Sequence, residues 1–283
     1  MEETMFNFPA MPTDEELQES NKRWIRRLKE NITNFSYWSE RMKPVDEKAF
    51  KQARSVTFNL PDELYPCLFC EKKDDREKLR KWVSETVFPI VQSMKFGERC
   101  FLKNGCFSNK FDFNNSCKLE PITIDNIVSH MLNIEGFALC YETMGDMEWV
   151  FREYIEPDDN AQCIYYGMPI RSEMRCFYDF DTHTYLYDVF YWDKDYCFDH
   201  FDKKEQAIFN NVYDEIYGGY LSMREEVRSL IEKEMPKCDE MTGMWSIDIL
   251  IQGNDYWLID MAPANRSAYY DHERIQKILN HES

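Results

Sequence analysis

The segment WSIDILIQGNDYWLIDMAP, from Trp245 to Pro263, places two carboxylates, Asp248 and Asp260, among apolar and β-branched residues. It predicts two short strands, and Gly253-Asn254 between them provides the positive φ of a hairpin turn. With a three-residue loop, Gly253–Asp255, the two acids would lie directly opposite each other and would have to share a proton or a cation. Oxygen ligands favour Mg²⁺. A loop of two or four residues would put the acids on opposite faces, and the pair would then have no role.

A lysine at the end of a strand is the second candidate group. The segment 99–103 is typical of a strand that ends at Lys103, and the next loop, 104–110, is rich in Gly, Ser and Asn and contains Ser108 and Lys110. A lysine beside free backbone N–H groups can hold phosphate oxygens. The GxxxxGK[ST] motif is absent from the sequence. The alternative interpretation is a solvated lysine in a turn.

Three further charged residues lie on strands that are otherwise apolar. Arg152 belongs to the strand 149–155, and Glu173 and Arg175 share one face of the next predicted hairpin. Charges on apolar strands are seldom buried unless they are paired. One interpretation is a Glu–Arg pair on a solvated sheet face. The other is a guanidinium that binds the terminal phosphate of a nucleotide and stabilises its charge during transfer.

The elements that would position these residues follow from apolar periodicity and from the Pro and Gly positions. A predicted turn at 156–160 is the expected subdomain boundary. In chain order, the predicted elements are a helix over 13–30, an aromatic turn at 34–39, a strand at 55–60, a helix over 74–94 that is kinked at Pro89, a strand at 99–103, a helix near 124–132, a strand at 149–155, a hairpin of 173–179 and 184–192, two helices within 203–235 that meet at Gly218-Gly219, the hairpin with the two acids, and a helix near 271–280.

Composition narrows the class of protein. The 283 residues, of which 43% are hydrophobic, suffice for one large domain or two smaller ones. The net charge of −18 argues against broad nucleic-acid binding, which needs clustered Lys and Arg. We expect no membrane span and no signal peptide, because the sequence has no long apolar run and begins with an acidic segment. Among ten cysteines there is one CxxC, Cys67 and Cys70, without the second pair that zinc needs, so we expect a reducing, cytoplasmic protein.

The order of these motifs resembles the ATP-grasp superfamily, and within it the cell-division-cycle ATP-grasp chaperones and the small ATP-grasp proteins of bacteria and phages. The resemblance spans roughly residues 35 to 265. The motifs that carry it are Phe35-Ser36-Tyr37-Trp38, Phe101-Leu102-Lys103 with Ser108, Arg152-Glu153-Tyr154-Ile155, Glu173-Met174-Arg175-Cys176-Phe177 and Trp257-Leu258-Ile259-Asp260-Met261-Ala262-Pro263.

The resemblance implies an α+β ATP-grasp fold in which two subdomains enclose a nucleotide cleft, with a helical N-terminal extension. The extension would cover 1–54, the N-terminal subdomain 55–156 and the C-terminal subdomain 157–283. It also implies ATP and Mg²⁺ as cofactors. The first subdomain would supply lysines and a covering loop to the phosphates, the connecting strand would recognise adenine, and the second subdomain would supply an arginine and the acidic metal ligands.

Transferred residue by residue, the resemblance gives Lys103 and Arg175 catalytic roles at the phosphates. It makes Asp248 and Asp260 the ligands of Mg²⁺, and Ala262 occupies the position at which the family has a metal-binding Asn. A methyl group cannot bind a metal, so either one metal is absent or Asn265 or a water takes its place. The implied nucleotide-binding set is Lys103, Ser108, Lys110, Arg152, Glu153, Tyr154, Ile155 and Arg175.

The function predicted on this basis is that of an ATP- and Mg²⁺-dependent ligase. It would join a carboxylate to an amine, or to a related nucleophile, through an acyl phosphate with release of ADP. Its partners would be ATP and a small-molecule or peptide/protein acceptor that the sequence does not identify. One alternative is an ATP-dependent protein-binding or assembly chaperone without ligase activity, whose acidic surface would suit a basic partner. A second alternative, nucleotidyl transfer to nucleic acid, is disfavoured by the net charge of −18.

Overall fold

Two antiparallel sheets of four strands each form the framework of the protein. The structure, a computed structural model, describes residues 13–69, 73–140 and 145–280. No helix within these ranges is long and apolar enough to cross a membrane. Of the predicted CxxC pair, Cys70 lies outside the described residues, whereas Cys67 is buried with its thiol 3.7 Å from the carboxylate of Asp75.

The helices and strands alternate irregularly along the chain. In order they are α1 (Asp14–Lys29), α2 (Phe35–Arg41), β1 (Ser55–Asn59), α3 (Lys73–Trp82), α4 (Phe88–Ser93), β2 (Cys100–Asn104), β3 (Lys118–Leu119), α5 (Ile124–Cys140), β4 (Glu148–Glu153), β5 (Cys163–Ile164), β6 (Met168–Pro169), β7 (Glu173–Asp179), β8 (Thr184–Phe190), α6 (Lys194–Cys197), α7 (Lys203–Glu234), β9 (Met244–Gln252), β10 (Asp255–Pro263) and α8 (His272–Leu279).

The first sheet has the strand order β1-β4-β2-β3. Helix α5 packs on β2, and α3 packs on α5. Helix α1 begins with the capping box that the sequence suggests, in which Thr13 and Glu16 bond each other's backbone N–H, and it buries Leu28 in the same core. The largest contributions to this core come from apolar side chains of both layers, among them Leu79, Leu102, Ile127, Ile134 and Trp149.

The second sheet has the order β10-β9-β7-β8, and the 32-residue helix α7 packs against it. Helix α2 adds Phe35 and Trp38 to this second core. Lys51 also extends the sheet edge, since its backbone N–H donates to Tyr256 O at 2.8 Å and its carbonyl accepts from Leu258 N at 2.9 Å. The segment between α1 and β1 therefore contacts the second sheet, although it precedes the first sheet in the chain.

The β9–β10 hairpin has a different turn from the predicted one but the predicted pairing of its acids. The strands meet at a two-residue turn, Gly253-Asn254, so the three-residue loop was wrong. A register irregularity between Leu258 and Asp260 then inserts one residue into β10. As a result Asp260 pairs with Asp248, as predicted. The pairing of Asp248 with Asp260 is therefore set by the bulge in β10 and not by the length of the turn.

Two helical predictions were wrong for identifiable reasons. The segment 34–39, predicted as a turn, belongs to helix α2, because Phe35 and Trp38 lie three residues apart and both enter the second core. Helix α7 does not break at Gly218-Gly219. A Cβ on Gly219 would lie 2.4 Å from Ser172 Oγ, so this glycine allows the helix to approach the sheet closely.

Pro89 interrupts the predicted helix over 74–94 in a specific way. Helices α3 and α4 are joined by one π-helical turn, Val83–Val87, and Pro89 sits in the first turn of α4. Proline lacks the N–H that an α-helix needs at this point, and a π-turn accommodates the lost hydrogen bond without ending the helix. The chain continues in nearly the same direction, and Val83, Val87 and Val91 all remain buried.

Candidate functional site

The two sheets face each other across a cleft of about 650 Å³, called here the inter-sheet cleft. Side chains of the first sheet, such as Phe101, line one wall, and side chains of the second sheet, such as Leu250, line the other. Eight of the predicted site residues line this cleft: Lys103, Ser108, Lys110, Arg152, Glu153, Tyr154, Ile155 and Asp260.

Strand register explains why Lys103 and Arg152 reach the cleft. Arg152 pairs with Phe101 across β2 and β4, and Lys103 lies two residues further along on the same face. Both cations are almost fully buried, at 2% exposure for Lys103 and 7% for Arg152. The guanidinium of Arg152 donates to the carbonyl of Ile259 at 2.6 Å and thereby links the first sheet to β10. The interpretation of Lys103 as a solvated turn residue is therefore wrong.

The facing wall is built by three neighbouring strands of the second sheet. Arg175 on β7 pairs with Asp248 on β9, and Asp248 pairs with Asp260 on β10, so the three side chains form one row across the sheet. Glu173 lies two residues before Arg175 on the same face. The Glu–Arg pair on a solvated face is thus wrong, because the carboxylate bonded to Arg175 comes from another strand.

Each acid of the row is held by a cation. Arg175 donates two hydrogen bonds to Asp248, from Nε and Nη2, both at 2.7 Å. Lys103 reaches across the cleft to both oxygens of Asp260, at 3.1 and 3.2 Å. Together with Lys110, these residues form what we call the charge cluster: Lys103, Lys110, Arg175, Asp248 and Asp260.

Opposite charges outweigh burial at two members of the charge cluster, Asp260 and Lys110. Burial alone would raise the pKa of Asp260, but Lys103, Lys110 and Arg152 hold that pKa below its ordinary value. Burial alone would lower the pKa of Lys110, and the neighbouring Tyr191, with Glu173 and the two aspartates, raises it above its ordinary value. Asp260 and Lys110 therefore stay charged near neutral pH.

The predicted metal ligands are only partly brought together. Asp248 and Asp260 are adjacent and both face one cavity, so their oxygens suit Mg²⁺, which commonly binds one or two carboxylates plus phosphate oxygens and waters. Asn265 is exposed on the turn Ala264–Arg266 and lines neither the inter-sheet cleft nor the cavity beside it. Ala262 faces Ser246 two positions along from the acids. Within the described residues, no group of three or more His, Cys, Asp or Glu side chains is placed to hold a metal ion.

The strand predicted to recognise adenine leaves the sheet as it crosses the cleft. Glu153 is the last ladder residue, and its carboxylate is bonded by Arg54 at 2.8 and 2.9 Å. Tyr154 and Ile155 continue beyond the ladder, and the carbonyl of Ile155 accepts a hydrogen bond from Arg171 at 3.0 Å. Apolar side chains around this segment provide flat surfaces suited to a planar ring: Phe101, Phe113, Met168, Leu250 and Ile259.

The sequence interpretation missed several residues of the site. Arg171 and Glu173 continue the alternation that places Arg175 on the cleft face, and that spacing was a usable signal. Glu173 is 3% exposed, burial raises its pKa, and its Oε2 has no hydrogen-bond partner within the described part of the chain. Tyr191, which follows β8, was not foreseeable, because its contact with Arg175 and Lys110 depends on how distant segments pack.

A second cavity, of about 950 Å³, opens from the inter-sheet cleft; we call it the aromatic cleft. Ser108, Lys110, Met168 and Asp260 line both cavities. Arg175 and Asp248 line the aromatic cleft only, so the predicted phosphate-facing arginine stands at the junction and not inside the first cavity. The charge cluster therefore lies where the two cavities meet.

No family model and no curated protein sequence matches the chain. Among solved structures, C-terminally truncated Cdc123 from Schizosaccharomyces pombe aligns with a TM-score of 0.50 over 88% of both chains, at 14% sequence identity. The chain has the ATP-grasp fold. Other similar structures include Cdc123 from the same organism (TM-score 0.48, 13% identity, 88% of both chains) and D-alanine–D-alanine ligase from Bacillus anthracis complexed with ATP (TM-score 0.36, 9% identity, 81% of this chain and 52% of that chain).

The ATP-grasp fold confirms the predicted α+β class, in which two subdomains enclose a cleft and a helical extension precedes them. The subdomain boundaries before Ser55 and after Glu156 stay predictions. So do the nucleotide, catalytic and metal roles of the individual residues, which are taken up in the proposal below.

Proposed function

We propose that the protein is an ATP- and Mg²⁺-dependent ATP-grasp ligase that activates a carboxylate for attack by an amine or a related nucleophile. The observation that carries this proposal is the charge cluster at the junction of two cavities. One cavity has apolar walls that suit a nucleotide base, and the other gives a second molecule access to the same charges. A phosphoryl group placed at the junction would be surrounded by three cations, Lys103, Lys110 and Arg175.

In this proposal the nucleotide lies in the inter-sheet cleft with its base beside Tyr154 and Ile155. The phosphates extend towards Lys103, and the loop with Ser108 and Lys110 covers them. Lys103 then exchanges the carboxylate of Asp260 for phosphate oxygens, which releases Asp260 for another cation. Lys103 and Asp260 belong to opposite sheets and form an ion pair across the cleft before the nucleotide binds. The charges that would exchange partners are therefore already in position.

The reaction itself would proceed in two balanced steps. An oxygen of the acceptor carboxylate attacks the γ-phosphorus, the bond from that phosphorus to the bridging oxygen breaks, and ADP leaves with the electron pair. An amine then attacks the carbonyl carbon of the acyl phosphate, and inorganic phosphate leaves while the amine loses a proton. Arg175 and Lys110 stabilise the negative charge on the transferred group.

Asp248 and Asp260 are the residues that would hold Mg²⁺. When bound, the ion supplies positive charge to the phosphate oxygens and orients them. Its remaining ligands would be phosphate oxygens and waters, since Ala262 provides no oxygen and Asn265 is exposed away from both cavities. The protein would act where ATP and Mg²⁺ are abundant, which agrees with the proposed cytoplasmic location.

Thermal unfolding with millimolar Mg-ATP tests the nucleotide part of the proposal. A ligand at 100 times its dissociation constant adds about 2.7 kcal/mol of stability, so we expect a clear rise in Tm. Lys103→Met should abolish the rise, whereas Lys118→Met removes a lysine from the same sheet outside both cavities and should preserve it. If neither ATP nor any other nucleoside triphosphate raises the Tm of the wild type, the nucleotide site is refuted.

A second candidate function is that of an ATP-dependent protein-binding or assembly protein. Two observations favour it, namely the absence of a third metal ligand beside Asp248 and Asp260 among the described residues and the ion pairs that already neutralise both acids. ADP release separates the two candidates. A ligase releases stoichiometric ADP when an acceptor carboxylate and an amine are present, whereas an assembly protein binds ATP, gains stability and releases no ADP above the uncatalysed rate.

A further inference from the structure

A third cavity, called here the edge pocket, lies where helix α2 and the segment before β1 meet the two sheets. Arg152 lines both this pocket and the inter-sheet cleft, so the two cavities are neighbours. The charged and hydrogen-bonding side chains of its lining, apart from the indole of Trp38, are Ser39, Glu40, Lys43, Gln52, Ser55 and Arg152.

Strand register places Arg152 between the two cavities. It pairs with Ser55 on β1 and with Phe101 on β2, so the three side chains form one row across the first sheet. Ser55 lines the edge pocket, and Phe101 lines the inter-sheet cleft. The guanidinium carbon of Arg152 lies 5.5 Å from the ring centre of Phe35 and 5.6 Å from that of Phe101. One face of the guanidinium is therefore near each cavity.

Arg152 is a buried cation without a carboxylate of its own. It is 7% exposed, and its Nη1 donates to the neutral carbonyl of Ile259, but it forms no ion pair within the described ranges of the chain. Asp260 attracts it from a distance and is itself bonded to Lys103, so burial still lowers the pKa of Arg152. Arginine is seldom buried unless it is paired. The guanidinium can therefore accommodate an anionic partner.

Trp38 provides a second buried donor in the same lining. It is 1% exposed, and its Nε1–H has no hydrogen-bond partner among the residues that the structure describes. An indole N–H can only donate, and a buried donor without a partner costs free energy. An acceptor atom supplied by a ligand would remove that cost.

The other charges of the pocket are at its mouth. Lys43 and Glu40 bond each other, and their side chains are 68% and 63% exposed, so the two charges offset each other in solvent. Apolar surface from Phe35 and Leu258 completes the walls. The pocket thus combines one uncompensated buried cation with apolar walls.

We propose that the edge pocket binds a small organic molecule that carries a single carboxylate. The carboxylate accepts hydrogen bonds from Arg152 and from the indole of Trp38, and the organic part of the ligand packs on Phe35 and Leu258. One buried cation compensates one negative charge, whereas a phosphate dianion would leave a buried charge without a partner. This site is separate from the charge cluster, whose members do not line the pocket, and the inference does not rest on the proposed ligase function.

Nuclear magnetic resonance of the ¹⁵N-labelled protein tests the proposal, with benzoate as the ligand probe and benzamide as its neutral isostere. Benzoate should shift the indole signal of one of the seven tryptophans, and this signal should be the one that is lost in Trp38→Phe. We expect benzoate to bind at least about tenfold more tightly than benzamide, because the amide forms no charge-assisted hydrogen bonds with Arg152. Inorganic phosphate should bind more weakly than benzoate.

Three variants locate the binding. Arg152→Met removes the cation and should abolish the preference for benzoate over benzamide. Ser55→Leu keeps Arg152 but places a larger apolar side chain directly opposite it, which should weaken benzoate at least about threefold. Thr57→Leu is the matched control, because Thr57 is exposed on the same face of β1 and does not line the edge pocket. It should leave benzoate binding unchanged.

The Ser55→Leu variant keeps the test decisive if Arg152→Met does not fold. Equal affinities of the wild type for benzoate and benzamide would overturn the carboxylate site. An unchanged benzoate affinity in Ser55→Leu, or tighter binding of phosphate than of benzoate, would overturn it as well. The Tm measurement with Mg-ATP concerns the inter-sheet cleft, so failure of the nucleotide proposal and failure of the edge-pocket proposal are observed separately.

Discussion

Two places in this protein bring pairs of carboxylates together, and they neutralise the charge in different ways. In the charge cluster, Asp248 is bonded to Arg175 and Asp260 to Lys103. Behind the loop that follows Lys103, Glu135 and Asp146 are both 0% exposed, and neither forms an ion pair within the described part of the chain. We call these two residues the buried acid pair.

The difference appears in the pKa values of the two groups. Burial raises the pKa of Glu135 to about 7 and that of Asp146 to about 7, so the acid pair retains a proton near neutral pH. At Asp260 the neighbouring cations outweigh burial and hold the pKa below its ordinary value. A proton suffices where a carboxylate only supports the fold. Cations surround Asp260, which the proposed function requires to stay ionised and to change partners.

The acid pair supports the loop that the proposal places over the phosphates. Glu135 accepts a hydrogen bond from the side-chain amide of Asn104 at 3.2 Å, and Asn104 accepts from the N–H groups of Cys106 and Phe107 at the start of the loop. A Cβ on Gly105 would lie 2.2 Å from Asp146 Oδ2. On one side, the start of the loop is therefore held by Asn104 and the buried acid pair. On its other side, the loop faces the charge cluster.

The largest effect in this comparison is expected from Arg175→Met. It leaves Asp248, whose side chain is 6% exposed, buried without its cation, and breaking such a pair costs about 3–5 kcal/mol. Arg228→Met removes an arginine from an exposed pair on α7 and should cost less than about 1 kcal/mol. Urea unfolding of both variants checks the prediction. Equal losses of unfolding free energy in the two variants would show that Arg175 and Asp248 do not form a buried ion pair. Arg175→Met combined with Asp248→Leu should recover most of the loss.

A smaller effect is expected from Glu135→Gln, and its sign depends on pH. Because the folded pKa values of the acid pair are raised, the folded state binds more protons than the unfolded state. The contribution of the acid pair to stability is therefore greatest below about pH 4 and decreases as the pH rises to about 7. Glu135→Gln should flatten this decrease and stabilise the protein by roughly 1–3 kcal/mol at pH 8.

Glu120→Gln is the control for the acid pair. Lys118 lowers the pKa of Glu120, whose side chain is about a third exposed, so its contribution has the opposite sign and is largely screened. Urea unfolding at pH 5, 6, 7 and 8 should show almost no change in this variant. A steeper loss of stability with pH in Glu135→Gln than in wild type would show that the acid pair is held by something other than a proton.

The sequence allowed the fold class and many of the charged site residues to be predicted, but not how those residues pair with one another. The fold class followed from the resemblance of the ordered motifs along 35–265 to the ATP-grasp superfamily, and the same motifs named most of the polar lining of the inter-sheet cleft. Lys103, Arg152 and Asp260 were all singled out, because each is a charge on an apolar strand or at its end. A charge within an apolar strand can be recognised from the local sequence pattern alone.

Pairings between distant segments were not predictable in the same way. The sequence indicates two hairpins, but it does not show that β7 joins β9 and thereby brings Arg175 to Asp248. The bulge between Leu258 and Asp260 restores the register of Asp260, and the turn residues do not signal it. Glu135 was missed because the helix was predicted to end near Leu132, whereas α5 continues to Cys140 against the first core.

An effect of about tenfold is expected at Asp260. Without Mg²⁺, the carboxylate of Asp260 repels incoming phosphates and competes for Lys103, so wild type should bind ATP poorly in EDTA. Asp260→Asn removes that repulsion and also removes a metal ligand. Calorimetric titration should show ATP affinity rising about tenfold in EDTA and falling about tenfold with Mg²⁺. Asp255→Asn, on the same hairpin but in an exposed pair with Lys51, should leave both values unchanged. A Mg²⁺ dependence in Asp260→Asn as large as that in wild type contradicts the exchange.

The smallest effect is expected from Ala262→Asn. Position 262 pairs with Ser246 in the same register that pairs Asp260 with Asp248, so its side chain follows Asp260 on the same face of β10. An amide oxygen there would add one ligand beside the two carboxylates and replace a water, which should raise ATP affinity with Mg²⁺ by a few fold and leave it unchanged in EDTA. Ser246 Oγ lies 3.3 Å from the carbonyl of Ala262 and 2.6 Å from Ser267 Oγ, so the new side chain must share this space. Ala262→Leu, a similar volume without an oxygen, controls for crowding. An equal gain in both variants, or a gain that persists in EDTA, would show that the two aspartates do not hold a metal together.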